Sequence, residues 1–244
     1  MFIPFLGEKS KHKNFILPNI PNDISTYAEP FGGSFAIFFS LDLSLYTNTQ
    51  FIYNDINILN VNLIKQLSNP DFMNYLFKIK ATKEKYNEIK FTLSNNSWSD
   101  FEKAANWLIL LSCSVSKYDI LNGSFKNEFE FETFKLKYYN STNINHISKI
   151  EMIDCLDFID KYDSKETFFY VDPPYINLES YYTNHDFLTV DHHIELSKKL
   201  KNIKGRFLLS YLKNDLLKDL YTDYNFKELK TMMGTETLIM NYSY

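Results

Sequence analysis

An α/β fold built on a mostly parallel sheet is what the chain predicts, with a smaller insertion in its middle. Two observations carry this. Runs of strand formers alternate with segments of helical periodicity, the pattern that places helices on both faces of a parallel sheet. A polar, aromatic stretch then breaks the alternation between about residues 91 and 145. With 244 residues, 45% of them apolar, the chain is long enough to bury a core and carry a second, smaller unit.

The elements follow in order. "DISTYAEPFGG" predicts a short strand, Ser25 to Ala28, running into a glycine turn, followed by the apolar segment "SFAIFFSLDLSLY". "TQFIYNDIN" predicts a second strand ending on Asp55. "ILNVNLIKQLSNPDFMNYLFKIKATKEKYNEIKFTL" has apolar residues at helical spacing and breaks at Asn69-Pro70, which predicts two helices. A cap and an amphipathic helix extend from Ser99 to about Ser116, and the chain then turns at "LNGSF". Strand character returns in "ISKIEMIDCLDFI" and "ETFFYVDPPY". A helix follows in "TVDHHIELSKKLKN", and strands in "GRFLLSY" and "ETLIMNYSY". The division this suggests is one domain from residues 1–65 and 146–244, with residues 66–145 inserted as a mainly helical unit. No internal repeat is seen.

Composition narrows the classes. A formal net charge of −4 argues against coating nucleic acid by charge alone, while leaving room for a local basic groove. Cys113 and Cys155 lack metal or redox spacing, and the five histidines show no ligand pattern, so no metal is expected. The start has no apolar signal core, and "WLILLSCSV" falls far short of the roughly 20 residues a membrane span needs. A soluble, intracellular protein is expected. Aromatic residues make up 17% of the chain, part of a bias toward Asn, Lys, Ile, Phe and Tyr that suits an AT-rich host or virus.

In an open parallel sheet, ligands bind in the crevice beyond the carboxyl ends of the strands. Three candidate segments end there: Glu29 to Gly33, Asp55, and Asp172-Pro173-Pro174-Tyr175. The Gly32-Gly33 pair lets backbone approach a ligand closely, or is simply a turn. Asp55 is either an acid for ribose hydroxyls or the cap of the helix behind it. The prolines stop the strand, because they donate no hydrogen bond and fix their own φ. They would therefore present the Asp172 carboxylate and the Pro173 carbonyl rigidly, with the Tyr175 ring beside them. That geometry suits a flat group carrying exocyclic N–H donors; its plain alternative is a rigid turn with a capping acid.

"PFLGEKSK", "EPFGGS", "YNDIN", "FFYVDPPY", "YYTNHDF", "FLLSY" and "ETLIMNY", in that order, resemble the Dam-type (D12-class) DNA adenine-N6 methyltransferases. The resemblance covers nearly the whole chain outside the middle segment. It implies a Rossmann-like methyltransferase fold with an inserted target-recognition domain, S-adenosyl-L-methionine as methyl donor, and double-stranded DNA as partner with the target adenine flipped out. It implies donor-binding roles for Phe5, Gly7, Lys9, Glu29, Phe31, Gly32, Gly33, Asp55 and Asp172, with Asp157 and Phe158 flanking the donor's adenine. Asp172, Pro173, Pro174 and Tyr175 match the catalytic tetrad, and Tyr175 would stack on the target base. Tyr181, Tyr182 and Phe187 match a lid over that base. A role in restriction-modification is a further implication.

Two departures stand out. Phe35 occupies a place where many relatives carry another glycine; separately, an alternating strand end accounts for Asp157 and Phe158 nearly as well as a ligand does, and is no departure. The second departure is in the insert. The insert keeps only Asn122, Gly123 and Phe125 of the usual loop, and Arg206 is the sole arginine. Phosphate contact would fall to lysines such as Lys117, Lys126, Lys135 and Lys137, and arginine readout of guanine is nearly closed. An RNA adenine or cytosine-N4 substrate, or a degenerate nucleic-acid-binding relative without turnover, are the alternatives.

Overall fold

The computed structural model describes residues 9–92, 98–115, 120, 123–127, 142–176, 188–232 and 234–243. Among the described residues seven strands form one sheet: β1 Thr26–Glu29, β2 Gln50–Asn54, β3 Ile147–Glu151, β4 Thr167–Val171, β5 Arg206–Leu212, β6 Asn225–Thr231 and β7 Gly234–Met240, in the order β3-β2-β1-β4-β5-β7-β6. The first five run parallel; β7 lies antiparallel between β5 and β6. This is the expected α/β, Rossmann-like arrangement. Chain order runs outward from β1 to β3 on one side and from β4 to β5 on the other. The strand order therefore reverses between β1 and β4, the point at whose carboxyl side open sheets of this kind bind ligands.

The central strands are buried on both faces because successive side chains alternate. Tyr27, Phe51, Tyr53, Phe168, Tyr170, Leu208 and Leu238 face one core. Ala28, Ile52, Phe169, Val171, Phe207, Leu209 and Ile239 face the other. Helices cover both. On the first face lie α1 (Lys13–Ile16), α2 (Ile58–Leu67), α3 (Pro70–Leu76), α4 (Lys83–Thr92) and α5 (Asp100–Cys113). On the second lie α6 (Cys155–Tyr162), α7 (Val190–Lys201) and α8 (Asp215–Leu220). Buried residues of the predicted insert, among them Phe72, Leu76, Tyr86, Ile89, Trp107 and Leu108, share one core with the sheet residues of the first face.

Polar caps set the helix starts. Asn57, Asn69 and Asn214 each accept a backbone N–H from the first turn, and Ser99 with Glu102 forms a capping box that opens α5. Pro70 sits in the first turn of α3, where its missing N–H costs nothing. Three helices appear where two were expected, because the chain breaks again after Leu76 and restarts beyond Thr82, whose hydroxyl accepts from Lys85 N at 3.3 Å. Helix α5 ends at Cys113 rather than near Ser116, since Ser114 turns extended and bridges Phe125.

"ISKIEMIDCLDFI" is not one strand. β3 stops at Glu151, and Asp154 caps α6 by accepting from Leu156 N at 2.7 Å and Asp157 N at 3.4 Å. The strand-end explanation of Asp157 and Phe158 is thereby corrected. Both lie in the first turns of a helix, and the spacing Leu156, Ile159, Tyr162 was the helical signal.

Candidate active site

The glycine turn after β1 is folded onto the end of β2. Gly32 N–H donates to the Asn54 carbonyl at 2.7 Å, and Phe35 N–H donates to the Gly32 carbonyl at 2.7 Å. A Cβ on Gly32 would stand 2.2 Å from the Tyr53 ring and 2.9 Å from Asn54 O, so only glycine fits. Gly33 takes φ 48°, a left-handed conformation natural to glycine. Its N–H donates to Asp55 Oδ2 at 2.8 Å, and its carbonyl accepts the Tyr53 hydroxyl at 3.0 Å.

Phe35 also holds a left-handed φ, 55°, which explains why a glycine would suit that position. The ring offsets the strain by burial. It is fully buried, stacks on Phe38 at 4.3 Å and meets the Tyr53 ring edge-on at 5.1 Å.

Asp55 is not the cap of α2; Asn57 is. The Asp55 carboxylate instead joins the two strand ends, accepting from Gly33 N, from Asn57 N at 2.8 Å and from Asn60 Nδ2 at 3.2 Å. Asn54, which sequence reasoning did not single out, ties three loops together. Its amide donates to Pro30 O at 2.9 Å and Ile153 O at 3.0 Å, and its carbonyl oxygen accepts from Ile153 N at 3.0 Å. Phe31 is half-buried against the second core, and Phe158 lies wholly inside it. Asp157 is exposed on the first turn of α6.

Across the reversal point, Asp172 follows β4 directly. Lys9, in a short 3-10 turn, is buried and grips both Asp172 oxygens, at 2.6 and 2.9 Å. From sequence alone that lysine looks like a surface charge. Burial pushes the Asp172 carboxyl up to about 6, against the pull of the Lys9 ammonium. Burial alone would lower the Lys9 pKa, but the Asp172 and Glu236 carboxylates raise it overall, so the lysine stays charged. At neutral pH the two form an ion pair. Glu29, at the end of β1, is buried and accepts the Tyr27 hydroxyl at 2.6 Å; burial raises its pKa well above the usual carboxylate range.

Pro173 is buried, and Pro174 and Tyr175 are half-buried. The Tyr175 ring lies 4.4 Å from that of Tyr211 at 36°, with Lys9 Nζ 4.8 Å from its centroid. Its hydroxyl donates to Glu236 Oε1 at 3.0 Å, and Ser210 Oγ donates to the same oxygen at 2.7 Å. Ile176 N–H donates to the Tyr211 hydroxyl, which also lies 3.4 Å from His193 Nε2. Glu236, Ser210, Tyr211 and His193 were missed as site residues. The available signal was a glutamate inside the otherwise apolar strand "ETLIM".

Of the predicted site residues, Lys9, Glu29, Gly32, Gly33, Asp55, Asp172, Pro173 and Tyr175 stand at the carboxyl edge of β1, β2 and β4. Phe5, Gly7, Lys117, Tyr181, Tyr182 and Phe187 lie outside the described residues, as do Lys135 and Lys137. Lys126 is exposed on the helical side, its N–H donating to Cys113 O at 2.7 Å. Among the described residues no cluster of metal-ligating side chains occurs, and no helix is long and apolar enough to cross a membrane.

The Gly32-Gly33 turn, packed against Tyr53, stands with the Glu29 and Asp55 carboxyl groups at the carboxyl ends of β1 and β2.

The D12 class N6 adenine-specific DNA methyltransferase family matches the chain over residues 5–235. The type II methyltransferase M.MjaIII of Methanocaldococcus jannaschii is 28% identical over 293 aligned positions, spanning 99% of this chain and 98% of that protein. The type II methyltransferase M.CviBI of Paramecium bursaria Chlorella virus NC1A is 27% identical across 84% of this chain and 80% of that one. Among solved structures, the rRNA methyltransferase aviRa from Streptomyces viridochromogenes overlaps 95% of this chain and 83% of its own at 10% identity, with a TM-score of 0.41, too weak a likeness to argue from.

Proposed function

Because the chain belongs to the D12 class of N6 adenine-specific DNA methyltransferases, enzymes of DNA methylation, we propose that it methylates the N6 amino group of adenine at Asp172-Pro173-Pro174-Tyr175. The methyl donor in this reading is S-adenosyl-L-methionine, which supplies an electrophilic methyl group. Lys9, Glu29, Phe31, Gly32, Gly33 and Asp55 would hold it, with Phe5 and Gly7 near the amino terminus assigned by resemblance.

One observation carries the proposal: an ionised, mostly buried carboxylate at the strand-order reversal, followed at once by two prolines and an anchored ring. The adenine N6 lone pair is delocalised into its ring and is a poor nucleophile. The Asp172 carboxylate and the Pro173 carbonyl would accept its two N–H groups and draw the nitrogen toward a tetrahedral shape. After transfer the nitrogen carries one proton too many, and a carboxylate with a pKa of about 6 can take it. Positioning and electrostatics then supply most of the rate. Tyr175 would stack on the base, which has to leave the duplex because its amino group is paired and stacked there. Tyr181 and Tyr182 would cover it. Residues 66–145 would read the target sequence, with Lys117 and Lys126 on phosphates.

The test is expression in a host without DNA methylation, followed by long-read mapping of modified bases. Methylated adenines in one short sequence context support the reading. Methylated cytosines in place of adenines, or unmodified DNA, overturn it.

A further inference from the structure

Glu236 is a carboxylate set into an apolar strand. It is 3% exposed, and its neighbours Leu238, Ile239 and Met240 are buried apolar residues. Removing a carboxylate from water is costly unless donors meet it. Here the donors are the Ser210 hydroxyl at 2.7 Å and the Tyr175 hydroxyl at 3.0 Å, with Lys9 Nζ 3.9 Å away. We infer that Glu236 is a positioning residue for the methyl transfer, fixing the plane and depth of the Tyr175 ring through its hydroxyl. This rests on the function proposed above.

A phenylalanine at 175 would keep the packing against Tyr211 and could still stack on a base. What the hydroxyl adds is a second fixed point, 61 residues away in sequence, on a strand that does not carry Asp172. Ser210, paired in register with Leu238 of β7, donates its hydroxyl to the carboxylate. The Tyr175 hydroxyl stays protonated, and so stays a donor, because burial and the Asp172 and Glu236 carboxylates raise its pKa well above the ordinary value. With both ends of the ring fixed, a base resting on it would meet Asp172 and the Pro173 carbonyl at a set height. An angstrom of misplacement at such a site costs on the order of a hundredfold in rate.

The experiment compares the wild-type protein with Tyr175→Phe, Glu236→Met and the double variant, measuring kcat and KM for methylation of adenine-containing duplex DNA, with thermal unfolding as a folding control. A duplex carrying 2-aminopurine at the target adenine reports ring contact by its emission. Each single variant is expected to lose about tenfold or more in kcat, the scale of a hydrogen bond to a charged group. The double variant should lose no more than the worse single one, since both cut the same link. The 2-aminopurine emission of each variant complex should differ from wild type. Should Glu236→Met not fold, Tyr175→Phe alone decides, since it leaves the carboxylate paired with Ser210. Wild-type kcat in Tyr175→Phe, or losses that multiply in the double variant, overturn the inference while the proposed function stands. A wild-type protein that methylates no DNA overturns both.

Discussion

Gly32→Ala tests how tightly the turn after β1 is packed onto the end of β2. Glycine-to-alanine changes at unstrained positions stabilise by roughly 0.4–1 kcal/mol through the unfolded state, so the sign is informative. Here the new methyl would sit 2.2 and 2.4 Å from Tyr53 ring carbons and 2.9 Å from Asn54 O. Carbon atoms meet comfortably at about 3.5–4.0 Å, so the ring has to retreat by more than an angstrom. It has nowhere to go: Tyr53 is fully buried, edge-on to Phe35, with its hydroxyl on Gly33 O. Overpacking costs roughly 1–3 kcal/mol, and losing the Tyr53 hydroxyl bond and the Gly32 N–H bond adds about 1 kcal/mol each. The sum is about 3–5 kcal/mol, or some 6–20 °C in melting temperature for a chain of this size. Thermal unfolding and calorimetric titration with S-adenosylmethionine read both effects; a variant that melts within about 2 °C of wild type and binds the donor equally well refutes the reasoning.

Phe35→Gly relieves a left-handed φ at a cost in packing: the strain is worth about 1–2 kcal/mol, whereas losing the buried ring costs about 3–5 kcal/mol. A net loss of stability is expected on chemical unfolding, and a more stable variant would show that the ring is a burden. The pH profile should follow Asp172. Its carboxyl must be ionised to accept an adenine N–H, and its pKa is raised to about 6, so kcat/KM should climb as pH rises through 6 and level off above. Lys9 stays protonated and adds no fall on the alkaline side up to pH 9 or so. A profile flat between pH 5 and 8 would disconnect Asp172 from the chemistry.

The sheet was legible wherever it is buried on both sides, because β1, β2, β4, β5 and β7 are short apolar runs bounded by turn residues. β6 was not. "NFKELKT" is an edge strand with mostly exposed side chains, and its partner is what holds it extended. The short helix α8 was missed as well, as six residues give too little period to read. In the site, Asp172 and the glycine turn were readable because proline and glycine leave local marks. Lys9, by contrast, owed its importance to burial beside a residue 163 positions away, and Glu236 to donors on two other segments. Asp55 was left between two roles, and Asn57 takes the capping one because it sits one residue ahead of the first helical turn. The strand reading of the segment holding Asp157 and Phe158 failed because an acid-aromatic pair reads alike in a strand end and in a helix turn; Asp154 was the cap that distinguished them.

The central claim is that Asp172 carries adenine methylation. It is tested most directly by incubating purified wild type and Asp172→Ala with S-adenosylmethionine and unmethylated duplex DNA, then analysing the hydrolysed nucleosides by mass spectrometry. N6-methyldeoxyadenosine should form with the wild type and be absent with the variant, while calorimetry shows the variant still binding the donor. N6-methyldeoxyadenosine formed at the wild-type rate by Asp172→Ala would contradict the account.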